Sequence, residues 1–413
     1  MSDGRTDRRV DAAWLSNGAL ARLLSVLDCD GEEARIVGGA VRNALLGEPI
    51  AEIDVATTAL PDEVVRRVSA AGFKAVPTGI AHGTITVVID GTPFEVTSLR
   101  QDVETYGRHA KVAFGRDWKT DAERRDFTMN ALSAARDGAV YDYVGGLDDL
   151  ARRRVRFIGQ PKQRIEEDYL RILRFFRFHA AYGRGALDGD GLHACIAARE
   201  GLAQLSRERV RMELIKLLVA PRAAPVLEAL ADAGILQLLV FGVPNNAYFS
   251  MMTGIEAALE LPPDAMRRIA ALTVLVAEDA ERLGQKLRLT NDEQTRLVAM
   301  ADGWPRLDPA MSQQSQHARL YELDQRFGDV ALLAWARSGA SVTDGAWRGL
   351  ATLPQRWPRP VFPLAAADFI GRGVAKGPAL GAALRAAERA WIAADFPDDA
   401  SQLGSIADAA AKG

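Results

Sequence analysis

Hydrophobic and polar positions follow two different patterns along the chain, and the change comes near residue 150. Before it, short apolar runs such as ARIVGG (34–39) alternate with turn residues. GTITVVID (83–90) and TPFEVTSLR (92–100) flank Asp90-Gly91, which is typical of a β-hairpin. After residue 150, apolar residues recur at helical spacing. The pattern predicts a mixed α/β unit without a regular βαβ repeat, followed by a helical region.

Further elements of the first unit are predicted from their end signals. VRNALLG (41–47) is typical of a short helix closed by its glycine, and Pro61 with two acids after it predicts a helix that Gly72 ends. DFTMNALSAAR (126–136) predicts another helix. The polar, weakly periodic segment 101–123 predicts a mobile loop.

The stretch IAEIDVATT (50–58) predicts a buried strand that carries two acids. Because side chains alternate faces along a strand, Glu52 and Asp54 should point the same way, about 6 to 7 Å apart. Glu95 should lie on the outward face of the second hairpin strand. Three carboxylates from two strands would be able to hold two Mg²⁺ ions, and the alternative is a solvated acidic face.

Two glycines come shortly before that strand. Gly38 and Gly39 let backbone amides approach a ligand closely, the helix that follows offers its positive end, and Arg42 adds a forked donor for phosphate. Alone, this would be an ordinary turn from strand to helix. Next to two carboxylates, it predicts a triphosphate site beside a metal site.

A helix predicted over residues 165–180 combines an apolar stripe with arginines on its other side. Within it, Asp168 and Arg171 are neighbours at i,i+3. The pair is either an intrahelical ion pair or an acceptor beside a donor fork that matches the edge of a nucleobase. The stripe consists of Tyr169, Ile172, Leu173, Phe176 and Ala180.

Composition excludes several classes of protein. The hydrophobic fraction of 48% and the charged fraction of 25% are ordinary for a globular protein, and 413 residues suffice for about two to three domains. The two cysteines, Cys29 and Cys195, lie far apart and show no metal or redox spacing, so no disulfide framework is expected, which favours a cytoplasmic location. No apolar run approaches about 18 residues, so no membrane span is predicted. The five histidines show no metal-binding spacing.

Charge is distributed unevenly. The whole chain has a net charge of -3, but residues 151–179 carry nine arginines and lysines against three acids, a local charge of +6. A local basic patch binds phosphate even when the whole chain is acidic. This stretch therefore predicts contact with a nucleic acid.

Together these motifs resemble the class II tRNA nucleotidyltransferase and bacterial poly(A) polymerase family. The resemblance runs in family order from about residue 34 to 220, with a weaker match over 362–396. The segments that carry it are VGGAVRNALLG with EID, TGIAHGTITVV, FEVTSLRQD, GRHAKVAFGRDWKTDAERRDFTMNAL, DYVGGLDDL, RRVRFIGQPKQRIEEDYLRILRFFRF and LSRERVRMEL.

The resemblance implies an α+β fold with a polymerase-β-like nucleotidyltransferase head followed by an all-helical neck, body and tail. The implied boundaries are 1–150 for the head, 151–220 for the neck, 221–355 for the body and 356–413 for the tail. The head would be catalytic, the neck would select the nucleotide base and bind RNA, and the tail would bind tRNA.

The resemblance also implies roles for residues. Glu52 and Asp54 would hold two catalytic Mg²⁺ ions, with Glu95 as the third catalytic acid. The nucleotide-binding set would be Gly38, Gly39, Arg42, Arg125, Asp126, Asn130, Asp168, Arg171 and Arg174, of which the last three would select CTP or ATP without a template. Glu208 and Arg209 would brace the neck. The loop Gly107–Trp118 would help to switch from C to A addition.

Two positions depart from the family pattern. Glu52 stands where the family normally has Asp, which lengthens the side chain by one methylene. Since Mg²⁺ demands near-ideal octahedral geometry, this change is expected to slow the chemistry or to shift the metal preference. Asn43 stands where Asp is common, which removes one charge near the phosphates.

The implied activity is addition of CCA to the 3′ end of tRNA from CTP and ATP. The alternatives are a poly(A) polymerase, a split enzyme that adds only CC or only A, and a catalytically inactive RNA-binding protein. Relatives that make poly(A) tend to have a strongly basic C-terminal extension, whereas this chain ends in the acidic WIAADFPDDASQLGSIADAAAKG.

Overall fold

The structure is a computed structural model, and it describes residues 3–11, 13–16, 18–80, 83–106 and 109–412. The chain divides into two compact units, residues 1–238 and 239–413. The predicted division into head, neck, body and tail is finer than this one and stays a prediction.

A mixed sheet organises the first unit. Its strands are β1 (Arg5–Arg9), β2 (Ala34–Val37), β3 (Asp54–Thr57), β4 (Lys74–Gly79), β5 (Thr84–Ile89), β6 (Thr92–Ser98), β9 (Ser133–Ala134) and β10 (Ala139–Tyr141), in the order β1-β10-β9-β2-β3-β6-β5-β4. β3 and β6 are parallel, with Asp54 opposite Glu95, and β2 pairs antiparallel with β3. The predicted hairpin of β5 and β6 is confirmed. Its turn residues Asp90 and Gly91 have φ of 50° and 80°, the positive values that a type I′ turn requires.

Helices cover the sheet and continue the unit beyond it. The predicted helix after Gly38 is confirmed and ends at Gly47 in the left-handed conformation, and the predicted helix that starts at Pro61 is also confirmed. The helices are α1 (Gly18–Leu27), α2 (Gly39–Leu46), α3 (Pro61–Ala70), α4 (Trp118–Glu123), α5 (Gly146–Ala151), α6 (Pro161–Glu167), α7 (Leu170–Tyr182), α8 (Gly189–Ala197), α9 (Arg207–Leu218) and α10 (Ala223–Asp232). The short helix α11 (Leu236–Val240) includes the boundary at residue 238.

The second unit is helical, as the periodicity predicts. α17 is its central helix and is buried on nearly every side, around Phe327 and Trp335. Within the described ranges, no helix is long and apolar enough to cross a membrane. The helices are α12 (Asn246–Ala258), α13 (Ala265–Thr273), α14 (Ala277–Leu287), α15 (Asn291–Gly303), α16 (Gln313–Leu323), α17 (Phe327–Arg337), α18 (Gly345–Ala351), α19 (Leu353–Arg356), α20 (Ala366–Ile370), α21 (Pro378–Ala393) and α22 (Ala400–Lys412).

The predicted loop 101–123 is wrong for most of its length. β7 (Arg100–Tyr106) and β8 (His109–Phe114) pair antiparallel, and α4 follows them. A two-stranded ribbon satisfies its backbone hydrogen bonds across the pair, so it forms without the apolar alternation that marks a buried strand. Gly107, the first residue of the predicted switching loop, lies outside the described residues, as does His82.

Three further predictions need correction near the site. The segment predicted as a helix over 126–136 contains a 3₁₀ turn, Thr128–Asn130, followed by β9. The helix predicted over 165–180 is interrupted at Asp168, which has extended backbone (φ -157°, ψ 107°). In both places a carboxylate accepts a bond from a nearby backbone N–H and competes with helical pairing. β3 starts only at Asp54, so Glu52 precedes the strand.

Candidate active site

A cavity of about 580 Å³ lies where β2, α2, β3 and α7 meet. All of the described residues predicted for the site line this cavity except Glu95. Glu95 lies on β6, opposite Asp54 of the neighbouring strand β3. The structure thus brings together residues separated by more than 130 positions in the chain. The predicted residues that line it are Gly38, Gly39, Arg42, Glu52, Asp54, Arg125, Asp126, Asn130, Asp168, Arg171 and Arg174.

The turn between β2 and α2 requires glycine at its first position. Gly38 has φ of 69°, and a Cβ atom there would lie 3.3 Å from Nη1 of Arg125 and 3.7 Å from the carbonyl oxygen of Asn130. A side chain at position 38 would therefore require a strained backbone conformation and would also crowd Arg125. Gly39 begins α2, so the first N–H groups of that helix border the cavity, an arrangement suited to an anion.

Arg42 is held in one orientation by its neighbours. It is 6% exposed, and its guanidinium donates to Oδ1 of Asn130 (2.5 Å), Oδ1 of Asn43 (2.9 Å from Nη2) and the hydroxyl of Tyr182 (2.8 Å). The group also lies 4.0 Å from the centroid of the Tyr182 ring and 5.3 Å from that of Phe178. Burial lowers the pKa of Arg42, and Tyr182 partly offsets the effect.

Replacing Tyr182 with phenylalanine tests this arrangement. The change keeps the ring under Arg42 and removes one hydrogen bond to a charged group, which is typically worth about 1.5 to 3 kcal/mol. If Arg42 binds phosphates, which CTP and ATP share, we expect KM to rise about tenfold for both nucleotides with kcat little changed. Steady-state kinetics with each nucleotide measures this, and an effect confined to one nucleotide would contradict it.

Three carboxylates gather at the start of β3. The protein surrounding the Asp54 carboxyl raises its pKa by reducing its hydration, and repulsion from Glu95 and Glu52 raises it further, against the charge of Arg125. In the part of the chain that the structure describes, no three acidic, cysteine or histidine side chains form a complete metal site. Mg²⁺ commonly takes one or two carboxylates and completes its coordination with water and substrate phosphates. Glu52 and Asp54 suit that role.

A buried ionic network forms the wall of the cavity on the α7 side. Arg174 donates to Oδ2 of Asp126 from Nε (2.8 Å) and Nη2 (2.5 Å). The other carboxylate oxygen of Asp126, Oδ1, accepts from Nδ2 of Asn130 (3.0 Å). Burial alone would raise the pKa of Asp126, but Arg174 and the bond from Asn130 hold it below its usual value. Glu213 on α9 contacts Arg174 (3.5 Å) and accepts a bond from Arg177.

Asp168 and Arg171, two of the three residues predicted to select the base, do not pair with each other. Oδ2 of Asp168 accepts from Nη2 of Arg209 (2.6 Å), whereas Nη1 of Arg171 donates to the carbonyl oxygen of Arg164 (2.7 Å) and to Glu167. The alternative of an Asp168–Arg171 ion pair is therefore wrong. Both side chains line the cavity with separate supports, so an acceptor and a donor are presented side by side.

Sequence reasoning did not assign Tyr182, Glu167 or Glu213 to the site. For Glu213 a signal exists, because it lies among Val210, Leu214 and other buried apolar residues of α9, where an acid indicates a buried ion pair. No comparable local signal marks the hydrogen bond of Tyr182 to Arg42, since the two residues lie 140 positions apart.

Comparison with known proteins identifies the family of this chain. The family described as "Poly A polymerase head domain" matches residues 34–156, and "Probable RNA and SrmB- binding site of polymerase A" matches 187–244. The mouse protein named "CCA tRNA nucleotidyltransferase 1, mitochondrial" is 34% identical over 394 residues, 93% of this chain and 88% of the relative. The chain belongs to the CCA tRNA nucleotidyltransferase family.

Bacterial members of the CCA tRNA nucleotidyltransferase family give the same result. The CCA-adding enzyme of Geobacillus thermodenitrificans is 42% identical over 215 residues, 52% of each chain. The crystal structure of the Bacillus stearothermophilus CCA-adding enzyme in complex with CTP superposes with a TM-score of 0.73 at 27% identity, covering 94% of this chain and 96% of that one. The predicted α+β fold is confirmed. Nucleotidyltransferases of this family depend on a divalent metal.

Proposed function

We propose that this nucleotidyltransferase adds CCA to the 3′ end of tRNA, using CTP and ATP and no nucleic acid template. The observation that carries the proposal is that the glycine turn with Arg42, the acidic start of β3, and Asp168 with Arg171 all line one cavity. These three parts suit a triphosphate, a reacting phosphate and a base, respectively. The mouse and Geobacillus relatives carry the corresponding names.

In the proposed reaction the 3′-hydroxyl of the RNA attacks the α-phosphate of the nucleotide, and the bond to pyrophosphate breaks. The first N–H groups of α2 and the Arg42 guanidinium hold the triphosphate. Asp168 accepts from the exocyclic amino group that cytosine and adenine share, and Arg171 donates to a ring acceptor. Because protein groups take the place of a template base, the cavity must present them in a fixed orientation.

The metal ions form the finer part of this proposal. Glu52 and Asp54 would hold two Mg²⁺ ions, with Glu95 next to Asp54 on the parallel strand. When bound, such ions activate the attacking hydroxyl and neutralise charge on the leaving oxygen. Repulsion from Glu95 and Glu52 contributes to the raised pKa of Asp54, and a bound cation would relieve this repulsion.

RNA binding is proposed for the basic stretch 151–179, which includes most of α7 and has a charge of +6 in the sequence. Part of this charge is balanced by acids outside the stretch, since Arg154 pairs with Asp188 and Arg177 with Glu213. The Thermotoga maritima CCA-adding enzyme complexed with tRNA shares the fold, with a TM-score of 0.68. A cytoplasmic location is also part of the proposal and rests on the presence of only two cysteines, whereas the named relatives include both mitochondrial and bacterial proteins.

The proposal is tested by incubating the pure chain with a tRNA transcript that ends at the discriminator base, together with CTP, ATP and Mg²⁺. Products are resolved at single-nucleotide resolution. We expect addition that stops after C, C and A. A long A ladder would indicate a poly(A) polymerase, a stop after CC or addition of A only to a CC-ended transcript would indicate a split enzyme, and no extension would contradict the assignment.

Shortening Glu52 tests its role as a metal ligand. In Glu52→Asp the carboxylate is one methylene further from the cavity on unchanged backbone. Because the family normally has Asp at this position and Mg²⁺ demands near-ideal octahedral geometry, we expect the rate with Mg²⁺ to rise about threefold and the rate with Mn²⁺ to change less. Rates measured with each metal check this. Equal rates for the variant and the parent chain in both metals would show that Glu52 does not contact the ion.

A further inference from the structure

Arg164 lies on α6 outside the cavity, yet it connects two parts of the site. Its Nη2 donates to the carbonyl oxygens of both Arg124 and Arg125 (2.5 Å for Arg125), and its Nη1 donates to Oε2 of Glu167. The same oxygen of Glu167 accepts from Arg171. The Arg164 side chain is 11% exposed, so these bonds form where water competes weakly.

Arg171 depends on Arg164 in a second way. Its Nη1 donates to the backbone carbonyl of Arg164 at 2.7 Å, in addition to the bond with Glu167. Both acceptors of this nitrogen therefore belong to the segment that Arg164 anchors. Through the two carbonyls, that segment is tied to Arg124 and Arg125, which line the cavity and immediately precede Asp126.

We infer that Arg164 is a positioning residue for nucleotide selection, setting where the Arg171 guanidinium lies relative to Arg125 and Asp126. The inference rests on the proposed function and deepens it. Arg164 touches neither base nor phosphate. It fixes the distance between the part of the cavity that reads the base and the part that binds the rest of the nucleotide, so that a base with the wrong donors and acceptors meets a poorly matched surface.

The fork of the guanidinium is what this role requires. One nitrogen reaches two consecutive carbonyls while the other reaches a carboxylate, and the planar group holds both directions at a fixed angle. A lysine at this position keeps the charge but has a single nitrogen. It therefore cannot bond Glu167 and both carbonyls in this geometry, and Arg171 gains freedom to move.

The experiment measures selectivity as well as rate. Arg164→Lys and Arg164→Gln are compared with the parent chain for kcat and KM of CTP and UTP on a transcript that ends at the discriminator base. We expect the ratio of kcat/KM for CTP over UTP to fall about tenfold in both variants. Binding of CTP and UTP to the full chain without RNA is measured by calorimetry, where the preference for CTP should shrink by a similar factor.

Glu166→Gln is the matched control, because it changes the charge by one on the same helix and its side chain is 53% exposed. We expect its CTP to UTP ratio to equal that of the parent chain. If the Arg164 variants lose activity with CTP and UTP equally, so that the ratio is unchanged, Arg164 has a structural role only and the inference fails. If the parent chain itself adds no nucleotide, the proposed function fails instead.

Discussion

Replacing Asp54 with asparagine is expected to abolish nucleotide addition, with a fall in kcat of about 10³-fold or more. The substitution keeps the size of the side chain and removes the charge at the first position of β3, which faces the cavity. A divalent ion would lose an anionic ligand, while the groups proposed to contact the phosphates and base stay in place. Single-turnover incorporation of CTP measures the chemical step, and calorimetry should show CTP bound within about threefold of the parent affinity in the absence of metal.

The control for this prediction is Asp62→Asn. Asp62 is an exposed acid in the first turn of α3, so the change removes the same charge from the same unit, away from the cavity. We expect it to leave the rate within about twofold, since surface substitutions usually change little. A loss of activity in Asp62→Asn as large as that in Asp54→Asn would show that net charge is responsible, and an active Asp54→Asn would remove this residue from the chemistry.

Replacing Glu213 with glutamine is expected to loosen the packing of α7 against α9. Glu213 is 6% exposed and contacts both Arg174 and Arg177. Removing one partner of a buried ion pair leaves charge uncompensated and typically costs about 3 to 5 kcal/mol. Hydrogen exchange followed by mass spectrometry should show faster exchange of the amides of both helices, and the temperature of the first unfolding transition should fall.

Glu200→Gln provides the comparison for Glu213. Glu200 is 84% exposed on its side chain and lies 3.8 Å from Arg199, so it represents a surface pair worth about 0 to 1 kcal/mol. We expect its exchange pattern to match that of the parent chain. If Glu213→Gln also exchanges like the parent chain, the two arginines must be satisfied by Asp126 and by the ring of Phe178, which lies 4.2 Å from the guanidinium of Arg177.

Local patterns predicted much of the first unit correctly because their causes are local. The Asp90-Gly91 turn needs only residues that accept positive φ, and the starting proline and the closing Gly47 act on adjacent backbone. The segment that forms β7 and β8 was predicted as a loop, since these strands lack the alternation that a buried face imposes. The continuous helix predicted over 165–180 was wrong at Asp168. Its carboxylate accepts a hydrogen bond from Arg209 on α9, a contact that the local sequence does not indicate.

The sequence by itself determined which functional groups are available. These are a glycine turn with Arg42, acids near the start of β3, and a helix, α7, that has an apolar stripe on one side and arginines on the other. These depend on neighbouring residues, so short segments of sequence contain them. Only the tertiary structure decided the partners, placing Arg42 against Tyr182 and Arg171 against the carbonyl of Arg164. The physical reason is that a long polar side chain reaches many groups, and burial of the whole fold determines which of them lies within hydrogen-bond distance.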